Sequence, residues 1–218
     1  MEETTGRDYY MWKQAETRKN TLTRLEAALL TGFAVALLWC AVSAGMQERV
    51  AEQVLRLHVI AHSDSAADQA LKLAVRDRVL LETERLTADT DGVTSARDAV
   101  AAHLTTLERA AAETVAAAGY AYPVRVTLGD TQFPTRRYGG FALPAGTYDA
   151  LRGVIGEGEG QNWWCVLFPP FCTSAAFAET AEAAGLSPAE IRFLTGSGYE
   201  LRFRVMEWLE LLRQRLGI

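Results

Sequence analysis

Between Glu26 and Glu48 the chain carries no charged side chain, and no other feature restricts its fold so strongly. The stretch Ala27 to Met46 (AALLTGFAVALLWCAVSAGM) reaches roughly 30 Å as a helix at about 1.5 Å per residue, the thickness of a bilayer's hydrocarbon core. Globular helices seldom run so far without a charge, because one of their faces normally meets water. The other long uncharged stretch, Gly160 to Ala178, is interrupted by Pro169-Pro170, which a continuous helix does not accommodate. Arg18, Lys19 and Arg24 stand just before the apolar run, and the positive-inside tendency keeps such a flank in the cytoplasm. The sequence therefore predicts a cytoplasmic segment 1–26, a signal peptide or transmembrane anchor 27–46, and an exported domain 47–218. Val42-Ser43-Ala44 offers the small residues a signal peptidase accepts, whereas the length of the run suits an anchor. Cleavage and retention both fit.

Composition excludes more than it names. Basic and acidic residues balance before Gln47, so the net charge of −5 belongs to the exported part. A pI near 5.3 speaks against a nucleic-acid partner, since phosphate binding wants a basic field. Three cysteines are too few for a disulfide-dense mini-scaffold or a four-cysteine zinc site. An apolar fraction of 49% is enough for one sizeable core.

Val54 to Ile60 alternates as a strand, with Leu55, Leu57 and Val59 facing one way and Val54, Arg56, His58 and Ile60 the other. A helix is predicted from Ser65 to about Leu86. Ser65 and Asp68 form its cap, the hydroxyl taking an orphan amide and the carboxylate sitting at the positive end of the dipole. Asp68 and Lys72 stand at i,i+4 spacing on its flank. Thr94 opens a second helix, with Val100, Leu104, Leu107, Ala111 and Val115 on one stripe and Gly119 at its end. The period then changes. Strands are expected over Tyr122–Leu128, Thr131–Tyr138, Thr147–Ile155 and Asn162–Phe168, with turns at Gly129-Asp130, Leu143–Gly146 and Gly156–Gly160. Residues 173–198 read as an excursion containing a short alanine-rich helix and a Ser187-Pro188 helix start. Tyr199–Val205 then alternates as a strand before a closing helix with Trp208, Leu211, Leu212 and Leu216. The fold class is α+β: a mostly antiparallel sheet packed against two helices, preceded by the one N-terminal apolar helix.

Candidate chemistry is sparse. Cys165 and Cys172 flank Phe168-Pro169-Pro170-Phe171, and export permits a disulfide between them worth about 2.5 kcal/mol by the chain-entropy estimate. Two buried thiols fit equally well. A cysteine hydrolase would need a histidine beside Cys165, and a strand cysteine after two tryptophans lacks the electropositive site a thiolate prefers. His58, His62 and Asp64 make at most part of a metal site, with no third nitrogen or sulfur ligand nearby. Gly156-Glu157-Gly158-Glu159-Gly160 is no phosphate loop: it enters a strand and carries two carboxylates. The sequence thus predicts no catalytic, cofactor or metal residues. Asn162-Trp163-Trp164 stands out, because adjacent strand residues point to opposite faces. Both rings are buried only if both faces are covered; otherwise one is free for a protein or sugar.

Several stretches taken together resemble a known family. Leu55-Arg56-Leu57-His58-Val59-Ile60-Ala61 runs into Ser63-Asp64-Ser65, Asp68-Gln69-Ala70-Leu71-Lys72-Leu73 and Val75-Arg76-Asp77. Phe133-Pro134-Thr135-Arg136 with Tyr138-Gly139 follows, then Leu143-Pro144-Ala145-Gly146 with Tyr148. Asn162 to Pro170 with Cys172 completes the set. In this order, behind one export segment, they resemble stage II sporulation protein R of endospore-forming bacteria, over about Val54 to Cys172 and the closing strand and helix. His62 departs from the pattern, which has asparagine there, and 173–198 matches no motif of the family.

The resemblance implies a secreted, forespore-made signalling protein working in the space between forespore and mother cell. It implies as partner a membrane-embedded aspartic protease, which on this signal processes the mother-cell sigma factor precursor (pro-sigma-E). The chain would be the trigger, not an enzyme, and would hold the membrane through 27–46 if uncleaved. Expected partner contacts are Arg136, Arg137 and Tyr138, with Glu157, Glu159, Asn162, Trp163 and Trp164. A cell-wall-binding module using Trp163 or Trp164 with Tyr138, and an exported hydrolase using Cys165 or a Ser63/His58/Asp64 set, are the other classes the residues allow.

Overall fold

A computed structural model of the chain describes residues 4–138, 140–171, 177–196 and 215. The chain divides into two compact units, Met1–Ala44 and Gly45–Ile218. Helix α1 is assigned over Thr4–Glu52, and its part Glu26–Glu52 is long and apolar enough to cross a membrane. Leu29, Leu30, Phe33, Leu38 and Trp39 are all exposed along it. A helix apolar all round buries those side chains in lipid or in a translocation channel, not in water. It is compatible with a signal sequence or a membrane anchor.

The second unit is α+β. Strand β1 (Leu55–Ile60) is followed by α2 (Ala66–Thr87), α3 (Val93–Ala102) and α4 (Leu104–Ala117). Next come β2 (Val124–Phe133), β3 (Arg136–Tyr138), β4 (Phe141–Leu143), β5 (Gly146–Ile155) and β6 (Asn162–Phe168), then α5 (Phe177–Ala183) and α6 (Pro188–Thr195). The main sheet is mixed, in the order β2-β5-β1-β6, and β3 and β4 form a separate antiparallel pair. β5 pairs antiparallel with β2, β1 pairs antiparallel with β6, and β1 and β5 run parallel in the middle. The sheet is thus mostly antiparallel, as its alternating strands imply.

The alternation of β1 sorts two cores. Leu55, Leu57 and Val59 join Leu71, Val75 and Val79 of α2, Val100 of α3 and Leu107 of α4 beneath the helices. Val54, on the other face, lies with Phe133, Phe141, Tyr148, Val166 and Phe171. Ala181, Leu186, Phe193 and Leu194, from the segment that matched no motif, are buried in this second core. Every residue of β1 is buried, because both faces of its sheet are covered.

The α2 cap forms as its residue types dictate: Ser65 Oγ accepts from the Asp68 amide at 3.1 Å. Lys72, however, does not take Asp68 as its partner. Its Nζ donates to Gln69 Oε1 at 2.5 Å and to the Gln161 carbonyl at 2.9 Å, while Asp68 accepts from Ser63. Two further expectations are revised. The helix expected after Thr94 is broken at His103 into α3 and α4. Gly129-Asp130 is no turn, since β2 runs straight through it, held by a ladder to β5 from Val124 to Phe133. A glycine-aspartate pair carries turn propensity, but a continuous partner strand outweighs it. The expected strand Tyr199–Val205 and closing helix lie outside the described residues.

Candidate functional site

On the face of β1 away from α2, α3 and α4, two polar side chains project into an aromatic core. Arg56 is 0% exposed. Its guanidinium carbon lies 3.8 Å from the centroid of Phe133 and 4.7 Å from that of Tyr148. Nη2 donates to the Tyr138 hydroxyl at 2.5 Å and Nε reaches the Cys165 carbonyl at 3.5 Å, but Nη1 is buried with no partner. No carboxylate among the described residues pairs with it. Burial pulls Arg56 below the ordinary guanidinium value, with the Tyr138 and Tyr148 hydroxyls opposing; the group still remains charged.

Magnitudes matter here. Desolvating a cation costs several kcal/mol. Ring contacts return about 2 kcal/mol when dry, a hydrogen bond to a charged group about 1.5–3. The orphan Nη1 then forfeits about 1–3. A well-packed methionine would hold this core at least as well, so stability does not account for an arginine here.

His58, two residues along the same face, stacks on Trp164 with centroids 3.8 Å apart and planes at 17°. An amide oxygen can only accept, so Nε2–H donates to Asn162 Oδ1 at 2.7 Å, and Nδ1 is left as a buried acceptor without a donor. Burial holds the imidazole below its ordinary value of 6.5; the Asn162 bond opposes this, and the Arg152 and Arg56 charges add to it. The unfolded chain therefore binds a proton at higher pH than the native one. His58 contributes stability fully above pH 6.5, lost as pH falls toward the depressed native value. Acidification from about pH 7.5 to about pH 5 is expected to lower the thermal midpoint. His58→Gln should flatten that part of the profile; an unchanged slope would remove His58 as its source.

The structure divides the expected partner contacts into groups. Arg136, Tyr138, Trp164 and Asn162 come together around Arg56 and His58. Arg136 lies 5.7 Å over the Trp164 ring, and the Tyr138 hydroxyl reaches the Trp164 carbonyl at 3.4 Å. Arg136 and Asn162 are exposed, while Tyr138 and Trp164 are half-buried. Trp163 points to the opposite face, where Arg76 of α2 sits 4.3 Å over its ring. Arg137 is exposed and alternates with Arg136 and Tyr138 along β3. Glu157 and Glu159 are exposed on the β5–β6 turn.

That turn interlocks with the β1–α2 loop. His62 stacks on Tyr122 at 4.1 Å, and its Nδ1 accepts from the Glu157 amide at 3.1 Å. Asp64 accepts from the Gln161 amide at 2.7 Å. Gly156 has φ +58, and a Cβ there would lie 2.3 Å from His62 Nδ1. Ser63, His58 and Asp64 are thus committed to separate partners and form no nucleophile–base relay. Among the described residues no group of three or more His, Cys, Asp or Glu could hold a metal. Cys165 is disulfide-bonded and Cys40 is a free thiol; Cys172 lies outside the described residues.

The sequence reading missed Arg56, Phe133 and Tyr148 as parts of the site. The signal was present: a strand whose alternation places arginine and histidine on the same face as core valine and isoleucine has buried charge to explain.

The described residues thus form an α+β domain that follows one membrane-length apolar helix and carries a cationic and aromatic face. The chain belongs to the stage II sporulation protein R family, whose family model matches residues 51–178. Its role is therefore in sporulation. It is 38% identical over 123 residues to stage II sporulation protein R of Bacillus subtilis (strain 168), covering 56% of this chain and 55% of that relative. The match thus spans about half the length of the curated relative. No solved structure matches the chain.

Proposed function

We propose that this chain is an exported intercompartmental signal. Made in the forespore, it places residues 47–218 in the space between forespore and mother cell, by secretion or by anchorage through 27–46. There it triggers a membrane-embedded aspartic protease to remove the pro-sequence from the mother-cell sigma factor precursor, pro-sigma-E. The observation that carries this reading is the family match, which begins at residue 51, in the last turn of the membrane-length helix. The Arg136–Tyr138–Trp164 face supports it with an exposed cation and half-buried aromatic rings, the residue types that dominate protein contacts. The mechanism is differential binding: a ligand favours the active protease only by as much as it binds that state more tightly. We further propose that Cys165 pairs with Cys172, bracing the loop behind Arg56.

The test is co-expression with the protease and the precursor, scoring pro-sequence removal with and without the chain. Removal that depends on the chain is the expected result. Equal removal in its absence would refute the reading, as would a C-terminal reporter that stays cytosolic.

A further inference from the structure

We propose that the face formed by Arg56, Arg136, Tyr138 and Trp164 recognises a carboxylate, supplied by an aspartate or glutamate side chain of a protein partner. The proposal rests on the signalling reading only for who the partner is; carboxylate recognition itself is measured without any partner.

The first support is the unsatisfied arginine. A fully buried guanidinium with a free Nη1 and no acidic partner among the described residues is a donor held ready. Its ring neighbours hold the planar group in place and keep it desolvated, so a carboxylate reaching it meets little competition from water. The second is Arg136, exposed against Trp164 and close enough to Arg56 for the two charges to act on each other, which adds a second positive charge on this face. The chain as a whole is net −5, so these two arginines run against its overall sign. An acidic segment is the complementary partner.

The third support is Tyr138, whose hydroxyl accepts from Arg56 Nη2 at 2.5 Å in the free protein. It is half-buried and belongs to a three-residue strand. A carboxylate displacing it would accept from Arg56 and receive the tyrosine O–H as a second donor. Trp164 and Phe133 would line the short apolar stem of an acidic side chain. One monoanion matches one buried guanidinium, whereas a phosphate would bring oxygens that the ring walls leave without donors.

The chain has three histidines, so the His58 ring signals in the full-length protein in detergent are assignable by His58→Gln. The probes are N-acetylglutamic acid α-amide, its glutamine counterpart, and inorganic phosphate. Saturable movement of the His58 signals at millimolar N-acetylglutamic acid α-amide is expected, and none with the glutamine form. Arg56→Met, whose stem refills the space between the rings, should abolish the response and leave the thermal midpoint equal or higher. Should that variant fail to fold, Arg136→Gln, altered only at an exposed position, should weaken the response several-fold. The proposal is overturned by no saturable response, by an equal response to the glutamine form, by a response to phosphate alone, or by full binding in the Arg136 variant. Binding without protease activation would sink the signalling reading and leave carboxylate recognition standing; activation without binding would do the reverse.

Discussion

Gly160→Ala is expected to destabilise the domain by about 3 kcal/mol, at the top of the range for forcing an added methyl into packed structure. A Cβ at Gly160 would stand 2.3 Å from the Ser63 carbonyl oxygen, 2.6 Å from its carbon and 2.9 Å from the Ala61 Cβ. The obstacle is mainly backbone, not the end of a flexible side chain. Neither loop can step aside cheaply. Gly160 N–H donates to the Ala61 carbonyl at 3.0 Å and Glu159 N–H to that of His62 at 3.2 Å. Gln161 is pinned from both sides, its amide on Asp64 at 2.7 Å and its carbonyl on Lys72 at 2.9 Å. Moving Ser63 would also disturb its hydrogen bond to Asp68 and the start of α2. Gly140→Ala is the control, since a Cβ there meets nothing within 4 Å; its effect should lie within about 0.5 kcal/mol. Denaturant unfolding of the two variants beside the parent measures the difference. Equal stability would mean that the interlock of the 61–65 and 156–161 loops is not tight.

The sheet strands, the α2 cap and the apolar export-type helix were legible because each is written in local period: alternation for Leu55–Ile60, a helical stripe through Leu71, Val75 and Val79, and a long run without charge. What failed was local where the outcome is set at a distance. Gly129-Asp130 has turn chemistry, but its pairing with β5 residues Ala150 and Asp149 decides its conformation. Lys72 had Asp68 at ideal helical spacing, but the Gln161 carbonyl, brought in from far along the chain, took its ammonium. The site was half legible for the same reason. Exposed Arg136 and the tryptophan pair announce themselves by residue type, and the opposite directions of Trp163 and Trp164 follow from strand geometry. Arg56 does not announce itself. Its meaning comes from Phe133, Tyr138 and Tyr148, three side chains far along the chain that turn a strand arginine into a dry, partly unsatisfied cation.

Arg136→Glu is expected to reduce pro-sequence removal about 30-fold, the equivalent of about 2 kcal/mol at a hot-spot position. The reversal removes the exposed cation over Trp164 and places an anion on the same face, so attraction to an acidic partner turns to repulsion. Arg136 is exposed and makes no ion pair among the described residues, so the fold should tolerate the change, and an unchanged thermal midpoint would confirm that. Glu157→Ala and Glu159→Ala provide the contrast. Both side chains are exposed on a turn tied by its backbone to His62, apart from the Arg56 cluster, so each should stay within about twofold of the parent. That pattern would place protease contact on the β3 and Trp164 face and take the acidic turn out of it. Full activation by the Arg136 variant, or loss at either glutamate, would move the contact from the Arg136 and Trp164 face to the β5–β6 turn that leads into β6, where the glutamates rather than the cation would meet the partner.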